Sequence, residues 1–180
     1  MSGDDNSAVT TEPSKHSGAA RKGKAAEHLI AASCILASGG ELNASTSLVD
    51  DEGVDIVFHR RGRSRTLAVQ VKSRFDEAGG STHLHQQGRF IGNVRVASFQ
   101  PRDSLYLLFA VIRSQEADFG PVWFVPSHDF AAKAQRVGGS TRPLLRISAS
   151  AKPDTQDQWR QFRLGRAELA TAILDALDHL

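Results

Sequence analysis

Two β-rich segments around a glycine constrain the fold of this 180-residue chain more than any other feature. Residues 54–60 are VDIVFHR and residues 65–72 are RTLAVQVK, with Gly62 between them. Both segments are rich in the β-branched and aromatic residues that favour strands. The spacing predicts a hairpin closed by a two-residue type II′ turn at Gly62-Arg63.

This turn would fix the register of the two strands, because each residue would then face one partner. The predicted apolar pairs are Ile56–Val69, Phe58–Leu67 and Val54–Val71. On the opposite face, Asp55 would lie across from Gln70, with Lys72 two residues further along. A polar trio at one end of an otherwise apolar hairpin is the feature that needs a chemical reason, since buried charges are costly unless they pair or bind a metal. One reason is structural: a salt bridge between Asp55 and Lys72 at the strand ends.

The remaining pattern predicts one α/β domain with a polar tail. Residues 1–20 are polar and without periodicity, so we expect a disordered tail there. Residues 73–103 have the character of a long loop with a short helix. Strands are predicted over 41–47, 105–112, 121–125, 144–148 and 159–164, and helices over 22–38, 127–135 (capped by Ser127) and 166–179.

The order of these motifs resembles the PD-(D/E)XK nuclease superfamily. The chain has GKAAE on a helix (residues 23–27), then GVDIV, a hairpin and QVK. The resemblance implies that Asp55 is the motif aspartate, that Gln70-Val71-Lys72 stands for the (D/E)-X-K tripeptide, and that Glu27 is the helix glutamate. The glutamine variant is similar to that of the Mrr-like restriction branch.

For the fold, the resemblance covers residues 22–73 and implies a restriction-endonuclease-like α/β core, a central mixed β-sheet flanked by helices. Residues 21–180 would form a single nuclease-like domain, in which residues 104–180 decorate the core.

For the chemistry, it implies hydrolysis of DNA phosphodiester bonds with Mg²⁺ or Mn²⁺. Asp55, Gln70, the Val71 carbonyl and Glu27 would hold the metal, and Lys72 would orient the attacking water or accept its proton. Gln70 departs from the usual carboxylate, which removes one negative charge from the site. The alternative is therefore a catalytically inactive nuclease-fold module that binds nucleic acid or a protein partner.

Arginine dominates the basic residues, with 16 Arg among the 22 cations at a net charge of only +2. Arginine suits phosphate recognition, although a coding bias gives the same composition. The candidate DNA-binding cations are those of the hairpin tip together with one from the first helix: Arg60, Arg61, Arg63, Arg65 and Lys24. A charged, solvated hairpin end is the competing interpretation.

Several other classes of protein are disfavoured by the sequence. The longest apolar run, Leu105–Ile112, is too short to cross a membrane, and the first twenty residues contain no secretory signal, so we expect a cytoplasmic protein. No nucleotide-binding or nucleophile-elbow motif is present. His83 and His85 lack further ligands for zinc, and Cys34, Trp123 and Trp159 are interpreted as core residues. Sequence specificity would be modest, or supplied by a partner or by a homodimer.

Overall fold

The computed structural model describes residues 15–46, 53–76, 84 and 87–180. The helices of the described residues are α1 (Lys15–Ala37), α2 (Ser127–Lys133) and α3 (Arg166–Asp178). The strands are β1 (Leu42–Thr46), β2 (Ile56–Arg60), β3 (Thr66–Phe75), β4 (Arg89–Arg95), β5 (Leu105–Arg113), β6 (Asp118–Pro126), β7 (Gln135–Val137), β8 (Leu144–Ser150) and β9 (Arg163–Leu164). Short 3₁₀ turns cover Val96–Ser98, Ser114–Glu116 and Arg160–Phe162.

A six-stranded mixed sheet organises the chain, in the order β1-β2-β3-β5-β6-β9. Strands β3 and β5 run parallel, and the other neighbours are antiparallel. Helices α1 and α3 pack on one face of this sheet, while α2 and a second sheet, β4-β8-β7, cover the other. The predicted α/β fold with a central mixed sheet flanked by helices is confirmed.

Two apolar layers hold these elements on either side of β3 and β5. Alternate residues of the two strands enter opposite layers, because side chains in a strand alternate between its faces. Val69 and Leu108 meet α1 and α3, whereas Leu107 and Phe109 meet the second sheet. Trp123 and Trp159 are fully buried in the second layer, as predicted.

Cys34 lies buried in the α1 layer, which confirms its interpretation as a core residue. Burial raises the pKa of its thiol to about 12, and the nearby Arg166 guanidinium only partly offsets this rise. The thiol therefore stays protonated and unreactive at neutral pH.

The predicted register of the β2–β3 hairpin is confirmed, but its turn is not. Ile56 pairs with Val69 and Phe58 with Leu67. The chain turns instead over residues 60–63, where the Arg63 N–H donates to the Arg60 carbonyl at 3.0 Å. Gly62, at φ +74°, then occupies the third position of the turn, which suits type II. The apolar face sets the register, so the same pairing survives a different loop.

Strand β4 was predicted as loop, and this prediction is wrong. Its burial alternates along Arg89–Arg95, with Phe90 and Val94 turned into the core. Gly92 interrupts the apolar pattern because a Cβ there would press against Phe109, Phe90 and Ile147 at 3.0–3.1 Å. A strand whose central position must be glycine carries a weak sequence signal.

Other boundaries differ in informative ways. Helix α1 begins at Lys15, seven residues before the predicted start. Residues 1–14 of the predicted tail lie outside the described residues, as do His83 and His85. Ser127 does not cap α2: its hydroxyl bonds the backbone N–H and carbonyl of Arg102 instead. Residues 159–164 contain a 3₁₀ turn before the short β9, rather than one strand.

In the part of the chain that the structure describes, no helix has the length and apolar character needed to cross a bilayer.

Candidate functional site

The candidate site lies where β2 separates from β3. Pairing between the two strands reaches Ile56–Val69, and the Asp55 N–H still donates to the Val69 carbonyl at 3.0 Å. Beyond this point the Asp55 side chain replaces the backbone of β2 as the partner of β3, because its Oδ2 accepts a hydrogen bond from the Val71 N–H at 2.6 Å. The expected Val54–Val71 pair therefore does not form. A carboxylate replaces the backbone acceptor at the point of divergence.

The Val71 peptide group lies on the edge of β3 that faces Asp55. Alternate residues of a strand direct their N–H and C=O groups to the same edge, and Val69 already uses this edge to bond Asp55. The Val71 carbonyl is consequently on the Asp55 side of β3. This places a backbone oxygen beside the carboxylate, as the sequence-based hypothesis requires.

Gln70 is held by a close approach to Gly53. The Gln70 side chain is only 7% exposed, and a Cβ on Gly53 would overlap its amide nitrogen. The amide oxygen lies farther from Gly53 than the nitrogen does. Gly53 also has φ +69°, a conformation that side-chain-bearing residues rarely adopt. Gly53 thus makes the turn into Asp55 and leaves space for the Gln70 amide.

Lys72 lies on the same face of β3 as Gln70, because the two residues are two positions apart on one strand. The register places Lys72 beside Phe109 and Gln70 beside Leu107 of β5, both in the layer under the second sheet. Lys72 is half-buried at the margin of this layer. Asp55, Gln70, Val71 and Lys72 are therefore brought together at one end of the hairpin.

Glu27 is on α1, which packs on the opposite face of the sheet from Gln70 and Lys72. Its carboxylate pairs with Lys24 at 2.7 Å and is 13% exposed. Lys22 Nζ lies 5.7 Å from the centre of the Phe75 ring. This contact brings the Lys22 part of α1 close to the end of β3, and Glu27 follows Lys22 by five residues, about 7.5 Å along the helix. A role for Glu27 at the site stays a prediction.

The donor set suits a hard divalent cation. The Asp55 carboxylate, the Gln70 amide and the Val71 carbonyl all supply oxygen, which Mg²⁺ and Mn²⁺ prefer to nitrogen or sulfur. Only one of these three groups carries a negative charge. Among the described residues, no group of three or more His, Cys, Asp or Glu side chains is placed to hold a metal ion. Asp55, Gln70 and Val71 would therefore bind a metal more weakly than a site with two carboxylates.

The arginines of the hairpin tip lie at the opposite end of the hairpin from Asp55. Arg60 donates to both oxygens of Asp178, at 3.0 and 2.8 Å, and to Glu41 at 3.1 Å, and these carboxylates raise its pKa. Arg65 reaches the Asp178 carbonyl at 3.4 Å. These bonds tie the tip to α3, which favours the structural interpretation for Arg60 and Arg65. Arg61 and Arg63 are exposed, and their binding of DNA stays a prediction, as does that of Lys24.

Sequence analysis missed two residues at the site, Gly53 and Arg74. Gly53 belongs to the quoted GVD motif, so its conformational role had a visible signal. Arg74 continues the alternation of Gln70 and Lys72 on one face of β3. Its guanidinium lies 6.0 Å from the centre of the Phe90 ring, and burial lowers its pKa. Arg74 was missed because β4, the strand that carries its partner Phe90, was predicted as loop.

Comparison with known proteins gives a structural similarity but no family match. No protein-family model matches the chain, and no curated protein matches it. Among solved structures, the chain is similar to a bacterial homing endonuclease, I-Ssp6803I, with 15% sequence identity and a TM-score of 0.48. That similarity spans 83% of this chain and 91% of the endonuclease.

Proposed function

We propose that this protein is a divalent-metal-dependent nuclease that hydrolyses phosphodiester bonds of DNA. The observation that carries the proposal is the hydrogen bond from the Val71 N–H to Asp55 Oδ2. This bond fixes a carboxylate beside the Gln70-Val71-Lys72 segment, where the resemblance to PD-(D/E)XK nucleases expects the motif aspartate.

Each residue has a role that follows from its chemistry and position. Asp55, Gln70 and the Val71 carbonyl would hold the metal, with Glu27 as a further carboxylate. A bound Mg²⁺ or Mn²⁺ supplies positive charge for the phosphate and lowers the pKa of water. Lys72, on the same face as Gln70, would orient the attacking water or, as the neutral amine, accept its proton.

A second candidate function is supported by the charge of the site. Gln70 is neutral, and the described residues contain no cluster of three acidic, histidine or cysteine side chains placed for a metal. A nuclease-fold module that binds nucleic acid without cutting it would have this composition. It would retain DNA binding and lack metal-dependent cleavage.

The test is cleavage of plasmid, linear, single-stranded and branched DNA, with RNA as a further substrate, in Mg²⁺, in Mn²⁺ and in EDTA. The nuclease proposal expects metal-dependent cutting of at least one DNA. Intact DNA under every condition, with binding retained, would favour the non-catalytic module. Cutting of RNA alone would correct the substrate class.

A further inference from the structure

Arg74 presents a half-buried cation on the same strand face as Gln70 and Lys72. Its Nη1 donates to the Ser73 carbonyl at 3.0 Å, and its guanidinium lies over the Phe90 ring of β4. Stacking on an aromatic ring restricts the orientation of the guanidinium plane. The side chain is thus held in place by a backbone carbonyl of β3 and by an aromatic ring of β4.

Arg74 differs from Arg113 and Arg166 in the partners of its guanidinium. Arg113 and Arg166 both pair with Asp118, at 2.6 and 2.5 Å. Within the described ranges, no carboxylate lies within ion-pair distance of Arg74, whose side-chain partners there are the Ser73 carbonyl and the Phe90 ring. A guanidinium has five N–H donors, so donors remain for an incoming oxyanion. Removing an uncompensated cation from water is unfavourable, and an anionic ligand would relieve that cost.

We propose that Arg74 binds a backbone phosphate of the nucleic acid, near the phosphate that is cut. This inference rests on the proposed function, which supplies the nucleic acid. Residues two positions apart on a strand are separated by about 6.6 Å, whereas one DNA strand carries a phosphate for about every 3.4 Å of helix axis. The spacing of Lys72 and Arg74 is thus large enough for the two side chains to contact different phosphates. The planar fork of arginine suits this contact better than a lysine would.

The salt dependence of DNA binding tests this contact directly. Affinity for a fluorescent 20-base-pair duplex is measured in EDTA across a series of NaCl concentrations, so that no cleavage occurs. Each lost phosphate contact reduces the slope of log affinity against log salt by about 0.9. We expect Arg74→Gln to weaken binding and reduce the slope by about this amount, and Arg74→Lys to retain the slope.

Arg160→Gln is the matched control, because Arg160 is exposed, bonds the neutral Gln156 and lies near the β9 edge of the sheet. It removes the same charge and should leave the slope at the wild-type value. Unfolding midpoints of all variants check that the fold is retained. A wild-type slope in folded Arg74→Gln, or an equal loss in Arg160→Gln, would overturn the phosphate site.

Cleavage in Mn²⁺ is scored separately on the same proteins. A slope that depends on Arg74 in a protein that does not cut would keep the phosphate site and overturn the nuclease activity. An unchanged slope in a protein that cuts would overturn the phosphate site alone.

Discussion

Asp55 Oδ2 accepts a hydrogen bond from the Val71 N–H at 2.6 Å, so a side chain completes the edge of β3 where β2 leaves it. The same carboxylate is the one negative charge among the three oxygen groups of the site, those of Asp55, Gln70 and Val71. Structure and proposed chemistry therefore depend on the same residue, and two substitutions separate them.

Asp55→Asn and Asp55→Ala should differ in stability but not in activity. Asparagine keeps an oxygen that accepts the Val71 N–H, whereas alanine leaves this donor unpaired, at a cost of about 1–3 kcal/mol. We expect the unfolding temperature of Asp55→Ala to fall by about 2–4 °C per kcal/mol, and that of Asp55→Asn to change less. Cleavage should be lost in both. Equal unfolding temperatures for the two variants would show that the bond contributes little to stability.

Gly53→Ala should reduce both stability and cleavage. A methyl group at this position would overlap the Gln70 amide, and φ +69° disfavours alanine. Strain of this kind costs about 1–3 kcal/mol, which calorimetry would detect. Gly40→Ala is a suitable control, since Gly40 also has positive φ but has open space around its Cβ position. If both variants lost stability and neither lost activity, Gly53 would not position Gln70.

Gln70→Glu should strengthen metal binding and raise cleavage in Mg²⁺ relative to Mn²⁺. The substitution restores a second carboxylate at the site, and a negatively charged oxygen attracts a hard cation more strongly than an amide does. Titration of Mg²⁺ in the cleavage assay gives the concentration for half-maximal rate, which should fall. Because the side chain is buried, the metal-free variant should unfold at a lower temperature and regain stability with metal. Unchanged metal dependence would place Gln70 outside the metal's ligands.

Asp118→Asn should alter the pH dependence of the protein's unfolding temperature. Asp118 begins β6 and pairs with Arg113 and with Arg166 of α3. Burial raises the pKa of Asp118, but the Phe119 N–H and the guanidiniums of Arg166 and Arg113 outweigh this effect, so the pKa is lowered. A lowered folded-state pKa means stability that is present above the ordinary aspartate pKa of about 3.9 and is lost as pH falls through the folded value. The variant should therefore unfold at a lower temperature than wild type at pH 7. The two curves should converge as pH falls below about 4.

The control for Asp118 is Asp154→Asn, which removes the same charge from an exposed loop. Its difference from wild type should be small across the pH range, since exposed charges contribute little. A gap between wild type and Asp118→Asn that does not narrow as pH falls below about 4 would show that the two arginines do not stabilise through the charge of Asp118.

The hairpin register could be predicted from the sequence because Ile56, Phe58, Leu67 and Val69 define one apolar face, and a slip of one residue would expose all of them. The type of turn could not be predicted, because the hairpin tip contacts solvent and Asp178 rather than the apolar core. The separation of β2 from β3 depends on Gly53 and on the Asp55 carboxylate, which replaces a backbone hydrogen-bond acceptor. The periodicity of a strand does not predict such a replacement.

The placement of Arg74 depended on contacts between distant segments. Its partner Phe90 belongs to β4, a strand hidden by Gly92, so the sequence offered no reason to place an aromatic ring under that arginine. The helix that carries Glu27 could be predicted from the apolar spacing of Ala25, Leu29, Ala32 and Leu36, but its buried face could not. The structure buries Ala26, Ile30 and Cys34, and leaves Leu36 78% exposed.

The most direct test of the central claim is the single-turnover rate of DNA cleavage in Mn²⁺ for Lys72→Ala against Lys133→Ala. Both variants remove one lysine charge, but Lys133 lies at the end of α2, away from the point where β2 separates from β3. The account predicts a loss of at least about 100-fold for Lys72→Ala, in the range typical of a general acid or base, with DNA affinity within a few fold of wild type. Lys133→Ala should cut at the wild-type rate. Equal rates for the two folded variants would contradict a catalytic site at Asp55, Gln70 and Lys72.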